Sequence, residues 1–293
     1  MNNTHQIIKI WIERKGKIMK RNGLKIVITG LVLTLGATSL IGCAKKSKGS
    51  EDGVTEVVVG TGNAYEPYCY LDENGDLAGY EYEVLKAVDE LLPEYEFKYQ
   101  TSDFANVLIS LDSGKIDLAA HQYEWNEERE NKYLFSKDAY TTYVTYITVA
   151  GNREDIKSLD DLQGLKVKSS TGSNATYILE QYNSEHKENP IIIDYIDNGT
   201  DEETVTGLIN GVWDATIATK RDVEKLNKNY GNGSDVIKVI GDPVQSSSTY
   251  FLYDKENTKL QEAVDSVLKK LKETGKLAEI SIDVIGGDYT ESE

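Results

Sequence analysis

The sequence predicts an α/β fold of two lobes, each a mainly parallel sheet flanked by helices, joined by a two-strand hinge. Short β-branched runs alternate with amphipathic segments of helical period, which is typical of βαβ units. The alternation occurs twice, over 54–120 and 165–240, and extended segments near 143–148 and 246–251 connect the two runs. The predicted domains are therefore 54–144 plus 247–293 for lobe one and 145–246 for lobe two.

The N-terminal segment has the pattern of a bacterial lipoprotein signal. A basic stretch, Met19–Lys25, precedes an apolar run, Ile26–Ile41, which ends at Cys43. The run is shorter than the roughly 20 residues of an ordinary membrane-spanning helix. The pattern predicts that the Cys43 thiol is acylated and that cleavage leaves this residue as the N-terminus. A plain membrane anchor is the alternative.

We therefore expect residues 1–42 to be a signal peptide, with an over-extended start before Met19, and residues 43–53 to be a lipid-anchored flexible tether. A genuine N-terminal extension is the alternative for the first eighteen residues. The tether composition, rich in Lys, Ser and Gly, has no apolar periodicity.

The charge balance excludes one class of function. The 293 residues carry a net charge of −17. Residues 1–42 contain seven basic and one acidic side chain, so cleavage would leave 25 basic and 48 acidic groups, a net charge of −23. A nucleic-acid-binding protein needs clustered Lys and Arg, so we expect no nucleic-acid partner. With Cys43 acylated, Cys69 has no cysteine to pair with, and we expect it to be a small packed residue.

Strand and helix predictions follow in chain order. Two helices are clear: Tyr82–Leu92, and a segment whose apolar residues repeat from Leu260 to Leu271 before Gly275. The strand candidates are 56–59, 96–99, 116–119, 143–149, 165–168, 191–195, 215–218, 236–240 and 250–253. If the last helix packs on lobe one, lobe two is an insertion connected by two strands.

Seven short motifs occur in an order that resembles a known family. The motifs are Gly60–Tyr68, Asn74–Glu81, Leu111–Asp117, Glu127-Glu128-Arg129, Phe135-Ser136, Ile156–Val167 and Gly211–Ala215. Together they resemble the polar amino-acid substrate-binding proteins of ABC importers, family 3 of the solute-binding proteins, over nearly the whole chain after the signal. Gln245–Phe251 and Lys220 are more similar to the cystine-binding branch.

The resemblance implies a periplasmic-binding-protein-like fold and an extracytoplasmic monomer that is anchored to the cell membrane as a lipoprotein. It implies an amino-acid ligand, an ABC permease as partner, no cofactor and no enzymatic activity. The ligand would be captured by closure of the lobes, because only the closed form satisfies contacts from both.

Arg129 is the residue predicted to bind the ligand carboxylate, because a guanidinium fork can hold both oxygens. The matching arginine has that role in the family. Thr171, Gly172 and Ser173 are expected to assist, since hydroxyls and free N–H groups at a helix start suit an anion. The alternative for this segment is an ordinary helix cap by Ser173.

The ammonium site departs from the family pattern. Thr219 stands where an Asp is usual, and Gly62 replaces a second typical Asp. Gln122 and Glu124 replace small residues. Either Glu124 has taken over the ammonium, or the ligand is not an ordinary α-amino acid.

Tyr65 and Phe104 match family positions whose rings flank the ligand. Their alternative role is core packing.

Other functions fit the sequence less well. Gly60-Thr61-Gly62 lacks the third glycine of a dinucleotide fingerprint, and only His121 and His186 remain as histidine ligands for a metal in the mature chain. A prephenate- or arogenate-type dehydratase would use Glu124 or His121 as general acid. A chemosensory receptor that delivers ligand is the third alternative.

Overall fold

The computed structural model describes residues 53–291. The predicted signal peptide (1–42) and all of the predicted tether except Gly53 lie outside the described residues. None of the helices over residues 53–291 combines the length and the apolar character that a membrane-spanning helix requires.

Lobe one begins the described chain and also ends it. It contains β1 (Thr55–Thr61), β2 (Ala64–Tyr65), β3 (Cys69–Leu71), β4 (Leu77–Ala78), α1 (Tyr80–Leu91), β5 (Tyr95–Thr101), α2 (Phe104–Asp112), β6 (Leu118–Glu124), α3 (Glu127–Lys132), β7 (Tyr133–Phe135), α7 (Thr258–Glu273) and α8 (Lys276–Ile285). The apolar face of α7 packs with β1 and α1 in one buried cluster that includes Val57, Leu85, Val264 and Leu268. The last helices therefore belong to the lobe in which the chain starts.

Lobe two lies between the two crossings of the chain. It contains a short 3-10 helix (Leu159–Leu162), β9 (Lys166–Ser169), α4 (Asn174–Glu185), β10 (Ile192–Tyr195), α5 (Asp201–Ile209), β11 (Ala215–Thr219) and α6 (Lys220–Tyr230). Its core has two clusters, one around Ile147, Val167 and Leu179 and one around Leu208 and Trp213.

Two long strands, β8 (Thr141–Ala150) and β12 (Ile237–Asp254), connect the lobes. A single nine-stranded sheet runs through both lobes in the order β10-β9-β11-β8-β12-β6-β1-β5, with β7 paired to β12. The β1, β5 and β6 pairings in lobe one are parallel, as are those of β9, β10 and β11 in lobe two. The antiparallel pair β8–β12 lies between these parallel groups.

The two long strands form the connection between the lobes. Strand β12 pairs with β8 over Ile237–Ile240 and again over Gln245–Thr249, with an irregularity between the two stretches. It then continues along β6 of lobe one. The predicted boundaries at 144/145 and 246/247 fall inside these strands and stay a prediction.

The structure differs from the sequence prediction in two places. Segments 236–240 and 250–253 are parts of one strand, because the pairing with β8 bridges the Gly241–Val244 irregularity. A three-stranded sheet, β2-β3-β4, was not predicted, since two of its strands are only two residues long.

Candidate functional site

A cavity of about 300 Å³ lies between the two lobes. Its walls include six of the nine predicted site residues: Tyr65, Phe104, Gln122, Glu124, Arg129 and Ser173. Thr171, Gly172 and Thr219 do not line it. Residues more than 100 positions apart in the chain therefore meet at one site, because the parallel strands of both lobes end there.

Arg129 is held firmly at the cavity wall. Its backbone N–H donates to Oδ1 of Asn126, the N-cap of α3, at 2.8 Å. Its guanidinium donates to the carbonyl oxygens of Glu124 and Gly172, each at 2.8 Å, and lies 5.2 Å from the centre of the Tyr123 ring. Burial lowers the pKa of Arg129, but an arginine stays charged at neutral pH. Of five N–H groups, two are used in these bonds, so others remain for a ligand carboxylate.

The loop before α4 makes structural hydrogen bonds of its own, and its role in binding the ligand carboxylate stays a prediction. The Thr171 N–H donates to Asp197 at 2.7 Å, and the Ser173 N–H donates to the Ser170 carbonyl at 3.1 Å. Ser173 Oγ accepts from the Thr176 N–H and caps α4. The cap alternative therefore holds for Ser173, although its side chain also faces the cavity. The structural role of Gly172 is to accept Arg129 through its carbonyl oxygen.

Tyr65 and Phe104 surround His121 on the lobe-one wall. The Phe104 ring meets the imidazole edge to face at 4.9 Å, and the Tyr65 ring stacks on it at 5.9 Å. The Tyr65 hydroxyl hydrogen-bonds that of Tyr143, at 2.6 Å, where β8 crosses between the lobes. Both predicted rings thus contribute to the cavity wall, and Phe104 also packs on a lobe-one core cluster.

His121 explains the absent acid at position 62. A Cβ atom on Gly62 would lie 2.4 Å from Nε2 of His121 and 2.7 Å from Sγ of Cys69, so any side chain there would force these buried groups to move. Burial lowers the pKa of His121 to about 4, so its imidazole is neutral at pH 7. Its Nδ1 has no hydrogen-bond partner among the described residues.

Glu124 lies at the end of β6 and is buried. Its Oε1 accepts a short hydrogen bond from Ser247 Oγ, on the hinge strand β12. Burial raises the pKa of the Glu124 carboxyl, and the Ser247 hydrogen bond and Arg129 oppose that rise. The carboxylate is therefore close to a cation and to the lobe connection.

Gln122 is held in a left-handed conformation with φ of 50°. The buried carboxylate of Glu81 accepts from both its backbone N–H and its side-chain amide. Tyr140 donates a further short hydrogen bond to the same oxygen. Burial raises the pKa of Glu81. The role of Glu81 in supporting the site was not predicted from the sequence.

Thr219 is buried and caps α6, where it holds an acid three residues further on. Oδ2 of Asp222 accepts from the Thr219 hydroxyl at 2.7 Å, and the Thr219 hydroxyl in turn accepts from the Asp222 N–H at 3.1 Å. The Asp222 carboxylate lines the cavity and accepts from the Tyr65 hydroxyl at 3.4 Å. Asp222 was not predicted from the sequence, although the Thr-x-x-Asp capping pattern signals an acid at this position.

Three further charged residues of the cavity wall were not predicted from the sequence. Lys168 lies on β9, Asp201 at the start of α5 and Lys225 on α6. The cavity wall thus carries three acidic and three basic side chains: Glu124, Asp201, Asp222, Arg129, Lys168 and Lys225.

A second hollow, of about 640 Å³, is lined only by lobe-two residues, among them Ile196, Thr206 and Val212. It brings together none of the predicted site residues. Among the described residues, no group of three or more His, Cys, Asp or Glu side chains has the arrangement of a metal site.

Known proteins of one family are similar to this chain over most of its length. Residues 57–286 match the family model of the bacterial extracellular solute-binding proteins, family 3. The chain is 36% identical over 265 residues to the L-cystine-binding protein TcyJ of Bacillus subtilis, covering 90% of this chain and 97% of the relative. It is 35% identical over 259 residues to TcyK, an L-cystine-binding protein of the same organism, covering 87% of this chain and 94% of the relative.

A solved structure described as a putative L-cystine ABC transporter from Listeria monocytogenes superimposes with a TM-score of 0.74 at 38% identity. The match covers 81% of this chain and 99% of that chain. The resemblance inferred from the motifs and the predicted two-lobed fold are thereby confirmed. The chain belongs to family 3 of the bacterial extracellular solute-binding proteins.

Proposed function

We propose that this protein is a lipid-anchored extracytoplasmic receptor that binds an amino acid between its lobes and delivers it to an ABC permease. The observation that carries the proposal is a charged cavity whose wall is shared by both lobes. A ligand held there touches residues of each lobe, so its binding free energy favours the arrangement in which the lobes meet.

The two charges of an amino acid have separate partners in this proposal. The carboxylate binds the remaining N–H groups of Arg129, and the rings of Tyr65 and Phe104 flank the side chain. The ammonium lies between Glu124 of lobe one and Asp222 of lobe two. Burial raises the pKa of Tyr143, and both acids are close enough to that hydroxyl to raise it further. A buried ammonium costs several kcal/mol without a counter-charge, so at least one of these acids is needed.

Direct contacts between the lobes support closure as the capture mechanism. Arg129 donates to Gly172, Asn126 donates to Asn174 at 3.0 Å, and Arg221 donates to the Tyr68 hydroxyl at 2.8 Å. Because Arg129 makes one of these bonds itself, the residue proposed to hold the ligand carboxylate also connects the lobes.

Cystine is the proposed ligand, since two relatives above 30% identity are named L-cystine-binding proteins. Thermal unfolding of the purified chain against a panel of amino acids, cystine and small peptides tests this. A true ligand raises the melting temperature by mass action. At a ligand concentration of 100 times Kd, it adds about 2.7 kcal/mol to the free energy of unfolding. Absence of any shift across the panel would refute amino-acid binding.

Lipid anchoring is tested by metabolic labelling with a fatty-acid analogue. We expect the wild-type chain and the Cys69→Ser variant to carry the label in the membrane fraction, and Cys43→Ser to lose it. Label retained on Cys43→Ser would overturn the anchor.

Delivery to a permease distinguishes a transporter component from a chemosensory receptor. Deleting the gene should reduce uptake of labelled cystine by the native cells, and restoring it should restore uptake. Unchanged uptake with lost chemotaxis would favour the receptor.

The dehydratase alternative has little chemical support at His121, because its low pKa leaves the imidazole neutral at pH 7 and a general acid would need the protonated imidazolium. Glu124 is the remaining candidate acid. We expect no turnover of prephenate or arogenate by the purified chain.

A further inference from the structure

The cavity extends beyond the groups that an ordinary amino acid would occupy. Arg129, Glu124 and Asp222 account for one carboxylate and one ammonium. Lys168, Asp201 and Lys225 remain on the same wall, together with the apolar side chains of Ala175, Ile217 and Leu226. A single-headed amino acid leaves this second set of charges without a ligand partner.

Lys168 is the most informative member of the second set. Its side chain is mostly buried, and its ammonium lies 5.8 Å from the centre of the Trp213 ring. Within the described residues it forms no ion pair and no hydrogen bond through Nζ. Burial lowers its pKa, while the more distant Asp201 and Glu203 oppose that effect. A cation that is partly desolvated and not paired favours binding of an anion.

The neighbourhood fixes the position of this ammonium. The Trp213 indole N–H donates to Asp194 at 2.7 Å. The ring also packs so tightly on α5 that a Cβ on Gly207 would lie 2.1 Å from it. The aromatic surface beneath Lys168 is therefore rigid, which reduces the conformational entropy lost when Lys168 binds a ligand.

Helix α6 relates the two ends of the cavity. Asp222 and Lys225 are three residues apart and share one face of the helix, about 4.5 Å apart along its axis. Asp222 contacts Tyr65, whereas Lys225 forms an ion pair with Asp201 at 3.0 Å and donates to the Glu66 carbonyl at 3.1 Å. Along α6, Asp222 therefore comes first and Lys225 follows. The ion-pair partner of Lys225, Asp201, is half exposed at the open end of the cavity.

We propose that this end is a second head-group subsite, in which Lys168 binds a carboxylate at the far end of the ligand and Asp201 accepts the neighbouring ammonium. The inference rests on the proposed function and adds a partner for a second carboxylate of the ligand. L-cystine has this chemistry, because its two identical head groups are joined through a short apolar disulfide that suits Ala175, Ile217 and Leu226.

The test compares two ligands that differ by one carboxylate: L-cystine, and the mixed disulfide of cysteine and cysteamine. Isothermal titration calorimetry measures both on the wild-type chain and on Lys168→Gln. We expect wild type to bind the mixed disulfide at least about tenfold more weakly than cystine, which corresponds to about 1.4 kcal/mol. We expect Lys168→Gln to weaken cystine by a similar factor and to change the mixed disulfide less than about twofold.

Lys166→Gln is the matched control, because Lys166 lies on the same strand, pairs with Asp194 at 3.2 Å and does not line the cavity. It should leave both affinities unchanged. Thermal unfolding of each variant reports folding, and Lys168→Arg, which keeps the charge, should retain most of the preference for cystine.

Equal weakening of both ligands by Lys168→Gln, or no weakening of either, would overturn the subsite. Wild type binding the two ligands equally would also overturn it while leaving amino-acid capture intact. If neither ligand binds and no amino acid stabilises the chain, the proposed function itself fails.

Discussion

Replacing Asp222 is the most direct test of the proposed ammonium site. Asp222→Asn removes the negative charge but keeps an oxygen that can accept from the Thr219 hydroxyl and the Tyr65 hydroxyl, now at 2.7 and 3.4 Å from the carboxylate. The cap of α6 should therefore survive, and the effect on the free energy of unfolding should stay below about 1 kcal/mol.

The expected loss of affinity follows from the bond that is removed. A hydrogen bond to a charged group contributes about 1.5–3 kcal/mol. If Asp222 holds the ligand ammonium, Asp222→Asn should weaken cystine binding by about 10- to 150-fold. If Glu124 holds the same ammonium from the other lobe, Glu124→Gln should weaken binding by at least about tenfold.

Calorimetry at neutral pH measures both variants beside Asp161→Asn. Asp161 is the matched control, since it completes the same kind of capping box with Ser158 but lies outside the cavity. Asp161→Asn should leave affinity unchanged. If Asp222→Asn unfolds normally and binds cystine within about twofold of wild type, Asp222 does not hold the ammonium. A loss of affinity found only in Glu124→Gln would indicate that Glu124 alone binds the ammonium.

Four further outcomes are expected. Arg129→Lys should weaken binding at least about 30-fold in calorimetry, because lysine cannot hold a carboxylate in a fork while bonding two carbonyl oxygens; retained affinity would exclude Arg129 as the carboxylate partner. Gly62→Ala should lower the free energy of unfolding by about 1–3 kcal/mol in denaturant titration, and less in a His121→Ala background, because the added Cβ meets the imidazole; equal costs in both backgrounds would contradict the clash. The raised pKa of Glu81 means that the folded state binds its proton more tightly than the unfolded state. The stabilisation from this proton is therefore present at low pH and is lost as pH rises through the folded pKa of Glu81. Above the usual pKa range of a glutamate, the melting temperature of Glu81→Gln should therefore fall less steeply with pH than that of wild type. An unchanged slope would contradict the role of Glu81. Cystine affinity should decline as acidification protonates Glu124, whose pKa burial raises, and Glu124→Gln should lose that pH dependence.

Much of the architecture was accessible from the sequence because it depends on local pattern. Each predicted strand lies in or overlaps an observed one, since alternating β-branched runs are read from neighbours in the chain. The position of Arg129 was likewise predicted from its place in an ordered series of motifs. The single strand β12 was divided in two, because the Gly241–Val244 irregularity interrupts the pattern although pairing with β8 continues on both sides.

The composition of the cavity was decided by tertiary structure. Gly62 looks like a lost acid in the sequence, but the fold places His121 against it, where any side chain would meet the imidazole. Thr219 looks like a second lost acid, but the turn into α6 aims Asp222 at the cavity instead.

By itself, the sequence determined the fold class and the family, and it predicted the arginine that lies at the cavity wall, because periodicity and motif order are properties of neighbouring residues. Only the tertiary structure decided which acids and lysines share the cavity. Lys168, Asp201 and Lys225 come from three separate βα elements, and their meeting depends on how the strands of lobe two are ordered in the sheet. No spacing along the chain records that order, because crossover connections bring distant segments to one sheet edge.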